Sequence, residues 1–326
     1  MPHHCPRGGN AARTTSELAA LSEMRIALTR LAAPLPQIAA DLAGVDGVVA
    51  LTTNATTVMT EIGRYTGPCF ATEPLALKAG EAALRVHLPS ISATLAVERQ
   101  ALSRSPCSVQ FFSPEGAALH KTILTSITDD YAFAELTQGW SIPAGEASGA
   151  TPARTEVRVL DKPADPRCWR GRDLAFHLDS LFLDGGIGRR ATLPDWGDDH
   201  AWSVEPELAV HLLRLLTEIR APVATMVSNA AFAQIHQGAF DDIRQIGPVI
   251  RLCSEGCTIS IDFNEIDEVW VTRFDAGGRA GHLIELYDWR FHCVAQFTEF
   301  GANGHLSRFW GQTVRDMPRR GRNAAS

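Results

Sequence analysis

The stretch RDLAFHLDSLFLDGGIGRR, which runs from Arg172 to Arg190, contains one histidine and a glycine-rich turn, and it ends in two adjacent arginines. The imidazole of His177 can act as an acid, a base or a metal ligand near neutral pH. An arginine can hold a carboxylate through two parallel hydrogen bonds. A histidine on a mildly amphipathic run is also typical of a surface or helix-capping residue, so its role depends on the elements that position it.

Other chemical signatures in the chain are incomplete. The stretch GGIGRR does not follow a predicted strand and lacks the G-x-G-x-x-G order, so it does not indicate a phosphate-binding loop. Cys253 and Cys257 are close in the chain, but no second cysteine pair or nearby histidine completes a zinc set. No Ser/His/Asp set can be assigned either.

The composition indicates a globular protein and excludes some partners. Of the 326 residues, 45% are hydrophobic and 21% are charged, and the formal net charge is −7. This acidic balance argues against a nucleic-acid partner held through phosphates. No run approaches about eighteen apolar residues, so we expect no transmembrane helix. The first residues lack the apolar core of a secretory signal and the cysteines are scattered, so we expect a cytoplasmic protein with reduced thiols.

The chain contains an internal duplication. The run VVALTTNATTVMTEIGRY aligns with VATMVSNAAFAQIHQGAF, so that Asn54 falls on Asn229 at a shift of 229 − 54 = 175. The same shift aligns CSVQFFSPEGAALHK with HLIELYDWRFHCVAQ. Because the shift holds over about seventy residues without a gap, the chain is predicted to contain two copies of one unit.

Each copy is predicted to form antiparallel sheet. Runs rich in β-formers flank Asn54 and Asn229 as in hairpins, and ALRVHL, SVQFF, TISIDF, EVWVTRF and HLIELYD alternate apolar with polar residues. Apolar periodicity predicts helices around each copy, in SELAALSEMRIALTRLAA, LPQIAADLAG, SITDDYAFAELTQGW, EPELAVHLLRLLTEIR and GHLSRFWGQTVRDM. The expected fold is therefore α+β, internally duplicated, with large antiparallel sheets flanked by helices.

A linker rich in Pro, Gly, Ala and Thr separates the two copies. The residues after it have no counterpart in the first half, so His177 lies in a segment that only one copy possesses. The predicted organisation is a disordered tail at 1–15, an N-terminal repeat at 16–143, a linker at 144–156, a C-terminal repeat at 157–318 with the extra segment at 165–200, and a disordered basic tail at 319–326.

Several stretches, in this order and at these intervals, resemble the cytoplasmic haem-utilisation proteins of the HemS/ChuS/HmuS type: SVQFFSPEGAALHK, MVSNAAFAQIHQGAFDDIRQIGP, VWVTRF and IELYDWRFHCVAQF. The resemblance runs from about Ser16 to Pro318. It implies duplicated antiparallel sheets with haem in a cleft between the two halves. It also implies a role in bacterial haem uptake and iron acquisition, with a haem-uptake transporter and an electron donor as partners.

The resemblance implies a set of haem-site residues. His177 would be the axial iron ligand, and Arg190, which lies 190 − 177 = 13 residues later, would help to hold the cofactor. Arg85, in ALRVHL, would lie on the distal side and serve as the catalytic residue if haem is cleaved. Gln296, in VAQF, would line the pocket. Arg273 would replace a basic residue that the family carries one position later.

Alternatives remain for each of these residues. Arg189 is interpreted as a solvated or helix-capping charge, and Arg190 would fit the same role. Arg85 and Gln296 would also fit as ordinary polar residues of strands. The other candidate iron ligands are Cys168, His87, His120, His236 and His292.

The sequence departs from the family pattern in ways that bear on function. The run LAFHLDS replaces T-D-x-H-x-F-F, so an aspartate and an aromatic pair are missing around His177. Thr298 stands where the family has a tyrosine, Gly301 where it has an arginine, and Phe274 where it has a basic residue. These losses favour haem binding over haem cleavage. The hypotheses are a haem-binding protein that also cleaves haem oxidatively, a haem chaperone or store without turnover, and a haem-free scaffold of the same fold.

Overall fold

The computed structural model describes residues 16–24, 27–71, 82–97, 107–128, 130–140, 172–182, 184–300 and 304–320. The predicted linker at 144–156 and the predicted tail at 1–15 lie outside these residues. Within the described ranges the chain forms seventeen strands and seven α-helices. None of these helices is long and apolar enough to cross a membrane.

The elements follow one another in two series. The first half comprises α1 Glu17–Glu23, β1 Leu28–Arg30, α2 Leu35–Leu42, β2 Val48–Thr53, β3 Thr57–Gly63, β4 Tyr65–Phe70, β5 Ala82–Val86, β6 Ala93–Val97, β7 Ser108–Phe112, β8 Ala118–Leu124 and α3 Asp130–Trp140. The second comprises α4 Leu174–Asp179, α5 Ile187–Thr192, β9 Ala201–Val204, α6 Pro206–Glu218, β10 Val223–Ser228, β11 Phe232–Gly238, β12 Asp242–Ile246, β13 Val249–Cys253, β14 Cys257–Asp262, β15 Ile266–Asp275, β16 Ala280–Asp288, β17 Cys293–Glu299 and α7 Gly304–Arg315.

The strands form two large sheets. The nine-stranded sheet has the order β1-β6-β7-β8-β2-β3-β14-β13-β12, and the eight-stranded sheet has the order β4-β5-β11-β10-β17-β16-β15-β9. Neighbouring strands run antiparallel except for β4 and β5, which pair in parallel. The α+β fold with large antiparallel sheets is therefore confirmed.

The two halves exchange strands. The shift of 175 places β2 and β3 on β10 and β11, and it also places Ala82, which begins β5, on Cys257, which begins β14, because 82 + 175 = 257. In space β5 pairs with β11 of the second half, and β14 pairs with β3 of the first half. Each half therefore completes the sheet of the other, and the predicted duplication is confirmed at the level of strands.

Two equivalent asparagines join the halves. The side-chain nitrogen of Asn54 donates to the carbonyls of Ser228 and Val294, at 2.9 and 2.8 Å. The side-chain nitrogen of Asn229 donates in return to the carbonyls of Thr53 and Leu119, at 3.0 and 2.7 Å. Each side-chain oxygen also accepts backbone N–H groups of its own hairpin turn. Because the bonds are reciprocal, the two β-hairpins are related by an approximate two-fold axis.

The prediction of one long helix over SELAALSEMRIALTRLAA is wrong beyond Glu23. The chain instead forms β1, in which Leu28 pairs with Val97 of β6. The helical periodicity of this stretch is overridden because β1 pairs with β6 at the edge of the nine-stranded sheet. Such a non-local pairing cannot be predicted from a local pattern.

The predicted basic tail at 319–326 begins with residues that contact the eight-stranded sheet. Arg320 donates its backbone N–H to the carbonyl of Ser203 in β9, at 2.8 Å.

The eight-stranded sheet is covered on both faces. Apolar residues of α6 and α7 pack on one face with alternate residues of β15 and β16, such as Val269 and Ile284. The segment from α4 to the 3-10 turn Leu193–Asp195 packs on the other face, where Leu178 and Trp196 contact residues such as Met226. Because both faces are buried, this sheet can hold polar groups away from water on the side of α4 and α5.

Replacing Asn54 or Asn229 with alanine is expected to destabilise the protein by about 1–3 kcal/mol each, because the carbonyl partners in the other half lose their donors. Urea unfolding monitored by circular dichroism measures the change. The exposed Asn264 provides the matched control, and Asn264→Ala should change the unfolding free energy by less than about 0.5 kcal/mol. Equal effects at all three positions would contradict the role of the paired asparagines.

Candidate functional site

Local sequence explains why the extra segment forms two short helices. Asp173 caps α4, since its side chain accepts the backbone N–H of Phe176 at 2.9 Å. Gly185 and Gly186 then adopt φ values of +67° and +89°, which side chains disfavour. A Cβ atom at Gly185 would also lie 2.5 Å from the ring of His292. This turn begins α5 next to α4, so that residues of the two helices meet.

His177 lies at this meeting point and is fully buried. Its Nδ1 is 2.7 Å from Nη1 of Arg189. Because a guanidinium only donates hydrogen bonds, Nδ1 is the acceptor, and the proton of the neutral imidazole is on Nε2. Burial, and then the charge of Arg189, lowers the pKa of His177 well below 6.5, although a hydrogen bond to the backbone of Arg172 works in the opposite direction. The imidazole is therefore neutral, which is the form that binds a metal.

Arg189 is a buried structural charge, so its interpretation as a solvated or capping residue is wrong. It is 2% exposed and donates from Nε and Nη2 to the two carboxylate oxygens of Glu285, at 2.9 and 2.5 Å. Thr272 and Tyr287 also donate to Glu285. Burial opposes ionisation of Glu285, but the charge and hydrogen bonds of Arg189 outweigh it and lower the pKa of this carboxyl. The pair fixes α5 on the sheet and aims a donor at His177.

Arg85 is connected to the same segment through Asp179. Arg85 lies on the exchanged strand β5 and is 1% exposed. Its Nε and Nη2 donate to the two carboxylate oxygens of Asp179, at 2.5 and 2.7 Å, and its Nη1 lies 3.4 Å from the sulfur of Cys69. Since Asp179 follows His177 by two residues, α4 carries both the candidate ligand and the partner of Arg85. The structure thus joins Arg85 of the first half to the helix of His177 in the second.

Gln296 lies on the same face of the eight-stranded sheet. It is in β17, directly opposite Glu285 on one side and Met226 on the other. The side chain is 1% exposed, and apart from a contact with the thiol of Cys293 its amide atoms have no hydrogen-bond partner in the described part of the chain. Because buried amides are normally hydrogen-bonded, the side chain of Gln296 is expected to bind a ligand or a water molecule.

The structure places the two remaining predicted residues differently. Arg190 donates from Nη2 to Glu268 at 2.5 Å and stacks over Trp270, and it lines a groove of about 770 Å³ beside the segment. Arg190 is therefore next to the cluster but directed away from His177. Arg273 is exposed and lies on the opposite face of β15, because Thr272 and Phe274 on either side of it face the segment. The structure does not bring Arg273 to the other residues.

The alternative histidines fall into two groups. His87 and His292 flank the segment, since His87 stacks on Phe182 with ring centroids 5.6 Å apart and His292 lies against Gly185. His120 and His236 lie in other parts of the core. His120 contacts Thr52, at 2.7 Å, and Tyr65, at 2.9 Å, and burial lowers its pKa to about 3. Cys168 lies outside the described residues.

Three residues of the buried cluster around His177 and Arg85 were not predicted to belong to it, namely Asp179, Arg189 and Glu285. The sequence could have predicted that Glu285 is buried, because this residue lies in the centre of a predicted strand between the apolar residues Ile284 and Leu286. In a sheet covered on both faces, such a charge requires a buried partner of opposite sign. The sequence could not predict that the side chain of Arg189 points toward His177, since this depends on the residue at which α5 begins.

A duplicated α+β protein, with exchanged strands and a histidine-bearing segment over one sheet, is the class that the fold and the site define. The family model of the haemin-degrading HemS.ChuX domain matches residues 14–140 and 186–316. The chain therefore belongs to this family. The matched ranges include Arg85, Arg189, Arg190 and Gln296, whereas His177 falls between them.

Individual proteins agree with this assignment. The chain is 24% identical to the hemin transport protein HmuS of Yersinia pestis over 323 residues, which cover 95% of this chain and 90% of HmuS. Its fold is similar to that of holo-PhuS, a heme-binding protein from Pseudomonas aeruginosa, with a TM-score of 0.73 at 20% identity over 90% of this chain and 87% of PhuS. ChuS, a heme oxygenase of E. coli, also gives 0.73 at 20% identity, over 89% of this chain and 88% of ChuS.

The buried, neutral His177 is expected to make the protein less stable in acid. Its pKa is lowered in the folded state, so the unfolded chain takes up the proton first as the pH falls below about 6.5. This proton uptake by the unfolded chain removes about 1 kcal/mol of stability between pH 6.5 and pH 5.5. Urea unfolding at both pH values should show a smaller loss for His177→Gln than for the wild type. An identical pH dependence of the two proteins would contradict the buried neutral state.

Proposed function

We propose that this protein binds haem between α4 and the eight-stranded sheet, with His177 as the axial iron ligand, as part of a cytoplasmic haem-utilisation system in a bacterium. Membership of the HemS/ChuX family supports this proposal. The names of the relatives support it as well, since PhuS is described as heme-binding and HmuS as a hemin transport protein. A haem-uptake transporter would be the source of the haem.

The observation that carries the proposal is the convergence of His177, Arg85 and Gln296 on one sheet face. The imidazole is neutral, and neutral imidazole is a common axial ligand of haem iron. The surrounding residues are largely apolar and aromatic, including Leu178 and Met226, as a macrocycle requires. Arg85 can hold a propionate through two hydrogen bonds, and the amide of Gln296 can add one. The residue types therefore fit haem.

The described conformation is closed to this ligand. Iron binding through Nε2 requires the proton of His177 to be on Nδ1, but Nδ1 faces the N–H of Arg189. His177 is also fully buried, and Arg85 is held by Asp179. We therefore infer that haem binds a second conformation, in which α4 moves away from Arg189 and Asp179 releases Arg85. The apparent affinity then depends on how often that conformation forms.

A second candidate function is oxidative cleavage of the bound haem with an external electron donor. Bound haem would supply the redox chemistry. In that case Arg85 would lie on the distal side of the haem instead of at a propionate, and the chain would exclude water from the site. One observation favours a carrier over an enzyme: the hydroxyl of Thr298, which stands where the family has a tyrosine, is already donating to the carbonyl of His282, at 2.9 Å.

Titration with hemin tests the proposed function. The wild type should show a saturable Soret shift, and His177→Ala should lose it or bind at least about tenfold more weakly, because the axial bond is lost. His305→Ala, on the exposed surface of α7, should bind as the wild type does. Addition of a reductant under air with catalase then separates the two functions, since only an enzyme loses the Soret band with iron release. Absence of a saturable shift in the wild type would support a haem-free scaffold and overturn the proposal.

Release of Arg85 should favour haem binding. Asp179→Asn removes the charge that holds Arg85, so the open conformation becomes more populated, and hemin should bind about 5- to 100-fold more tightly. Stopped-flow and equilibrium Soret measurements give the rate and the affinity. The exposed Asp195 provides a control with the same change of charge, and Asp195→Asn should have no comparable effect. Weaker binding by Asp179→Asn than by Asp195→Asn would contradict the closed state.

A further inference from the structure

A second cluster of ligating side chains lies where the two sheets pack on each other, apart from α4 and α5. Glu61 on β3, His236 on β11 and Cys257 on β14 are all buried, with 8%, 6% and 1% of their surfaces exposed. One ligand atom of each lies within 4.8 Å of the others. The sequence indicated no zinc set around Cys257 because its partners are distant in the chain.

The duplication explains why these residues meet. Glu61 and His236 occupy equivalent positions of the two copies, because 236 − 61 = 175. Equivalent residues next to an approximate two-fold axis face each other, and His236 Nδ1 lies 3.0 Å from Oε1 of Glu61. Cys257 is directly opposite Glu61 in the pairing of β14 with β3, so strand exchange brings the thiol to the same point. Neither copy alone contains the three donors.

The carboxylate of Glu61 is incompletely satisfied. Its second oxygen, Oε2, is buried and has no hydrogen-bond partner among the described residues. An ionised carboxylate in this state loses its hydration without a full replacement. A cation bound to Glu61 would provide that replacement. A simple buried pair of Glu61 and His236 would leave Oε2 without a partner.

We propose that Glu61, His236 and Cys257 form a binding site for a divalent ion of the zinc type. A thiolate, an imidazole and a carboxylate are the three donor types that proteins offer to zinc. Ligand atoms about 2.0–2.3 Å from an ion are about 3.5 Å apart in a tetrahedron, so the three groups need to approach by only about 1 Å. The fourth position is open to water. The hydroxyl of Ser254 lies 3.4 Å from Nε2 of His236, the ring nitrogen that does not face Glu61, where it can orient the imidazole.

The protonation of the Cys257 thiol depends on whether an ion is bound at this cluster. Burial, and then the charges of Glu61 and Cys253, raises the pKa of Cys257. Without an ion the thiol therefore remains protonated beside the carboxylate. A bound dication reverses this balance, because it stabilises the thiolate and the carboxylate together. Metal binding would link three strands from the two sheets and increase the stability of their junction.

Titration of the full-length protein with Co²⁺ after chelation and under a non-thiol reductant tests the site. The wild type should bind one equivalent, with a thiolate-to-cobalt charge-transfer band and the visible bands of four-coordinate cobalt. Added Zn²⁺ should bleach these bands and raise the melting temperature. Cys257→Ser should abolish the charge-transfer band, and Glu61→Gln should weaken Co²⁺ binding at least about tenfold.

Two matched variants test whether cobalt binds at this cluster rather than elsewhere on the protein. Cys107→Ser removes a partly buried thiol outside the cluster and should bind Co²⁺ as the wild type does. His177→Ala should also bind Co²⁺ normally, because His177 does not belong to the cluster, and this result shows that cobalt is not bound at the proposed haem ligand. Absence of a saturable cobalt spectrum in the wild type, or an unchanged spectrum in Cys257→Ser, would overturn the proposal. In either case Glu61 and His236 form only a structural pair.

Discussion

The exchange of strands between the two halves is the constraint on which the rest of the structure depends. Because β5 belongs covalently to the first half but pairs with β11, the halves cannot separate without breaking a sheet. Arg85 reaches the eight-stranded sheet only through this exchange. The equivalent residue in the second copy is Ser260, since 85 + 175 = 260. The nine-stranded sheet therefore has a serine hydroxyl where the eight-stranded sheet has the guanidinium of Arg85. The duplication thus provides one scaffold twice, and the candidate site around Arg85 only once.

The extra segment is held on this scaffold by ion pairs as well as by apolar contacts. The pairs of Arg189 with Glu285 and of Arg85 with Asp179 are buried or nearly so. In such pairs the cost of desolvation cancels much of the attraction between the charges, so they define geometry more than they add stability. A ligand that carries its own carboxylates can replace Asp179 as the partner of Arg85 at little net cost. The same contacts can therefore hold the segment closed and allow it to open.

Periodicity and duplication predicted most of the fold, because hairpins and amphipathic helices are local features. The strand β1 was mistaken for helix, since its pairing with β6 is non-local. Within the site, Arg85 and Gln296 were correctly placed on strands, but Arg189 was wrongly interpreted as a solvated or capping charge, and Arg190 pairs with Glu268. Adjacent residues of a helix point about 100° apart. Which of the two arginines faces His177 therefore depends on the start of α5, and that is set by the positive φ angles of Gly185 and Gly186. No pattern in the sequence predicts these two φ angles.

The hydrogen bond at Nδ1 of His177 distinguishes this site from a preformed metal centre. A metal-bound histidine usually donates its other N–H to a carboxylate or carbonyl, which fixes the tautomer that binds. Here Arg189 donates to that nitrogen and fixes the opposite tautomer, while Glu285 lies behind Arg189. The loss of the family's aspartate beside the histidine agrees with this arrangement. If haem binds here, its affinity is set by the balance of these buried charges as well as by the iron–imidazole bond. A site of that kind can release haem when its arginines regain their own carboxylates, which suits a carrier better than a catalyst.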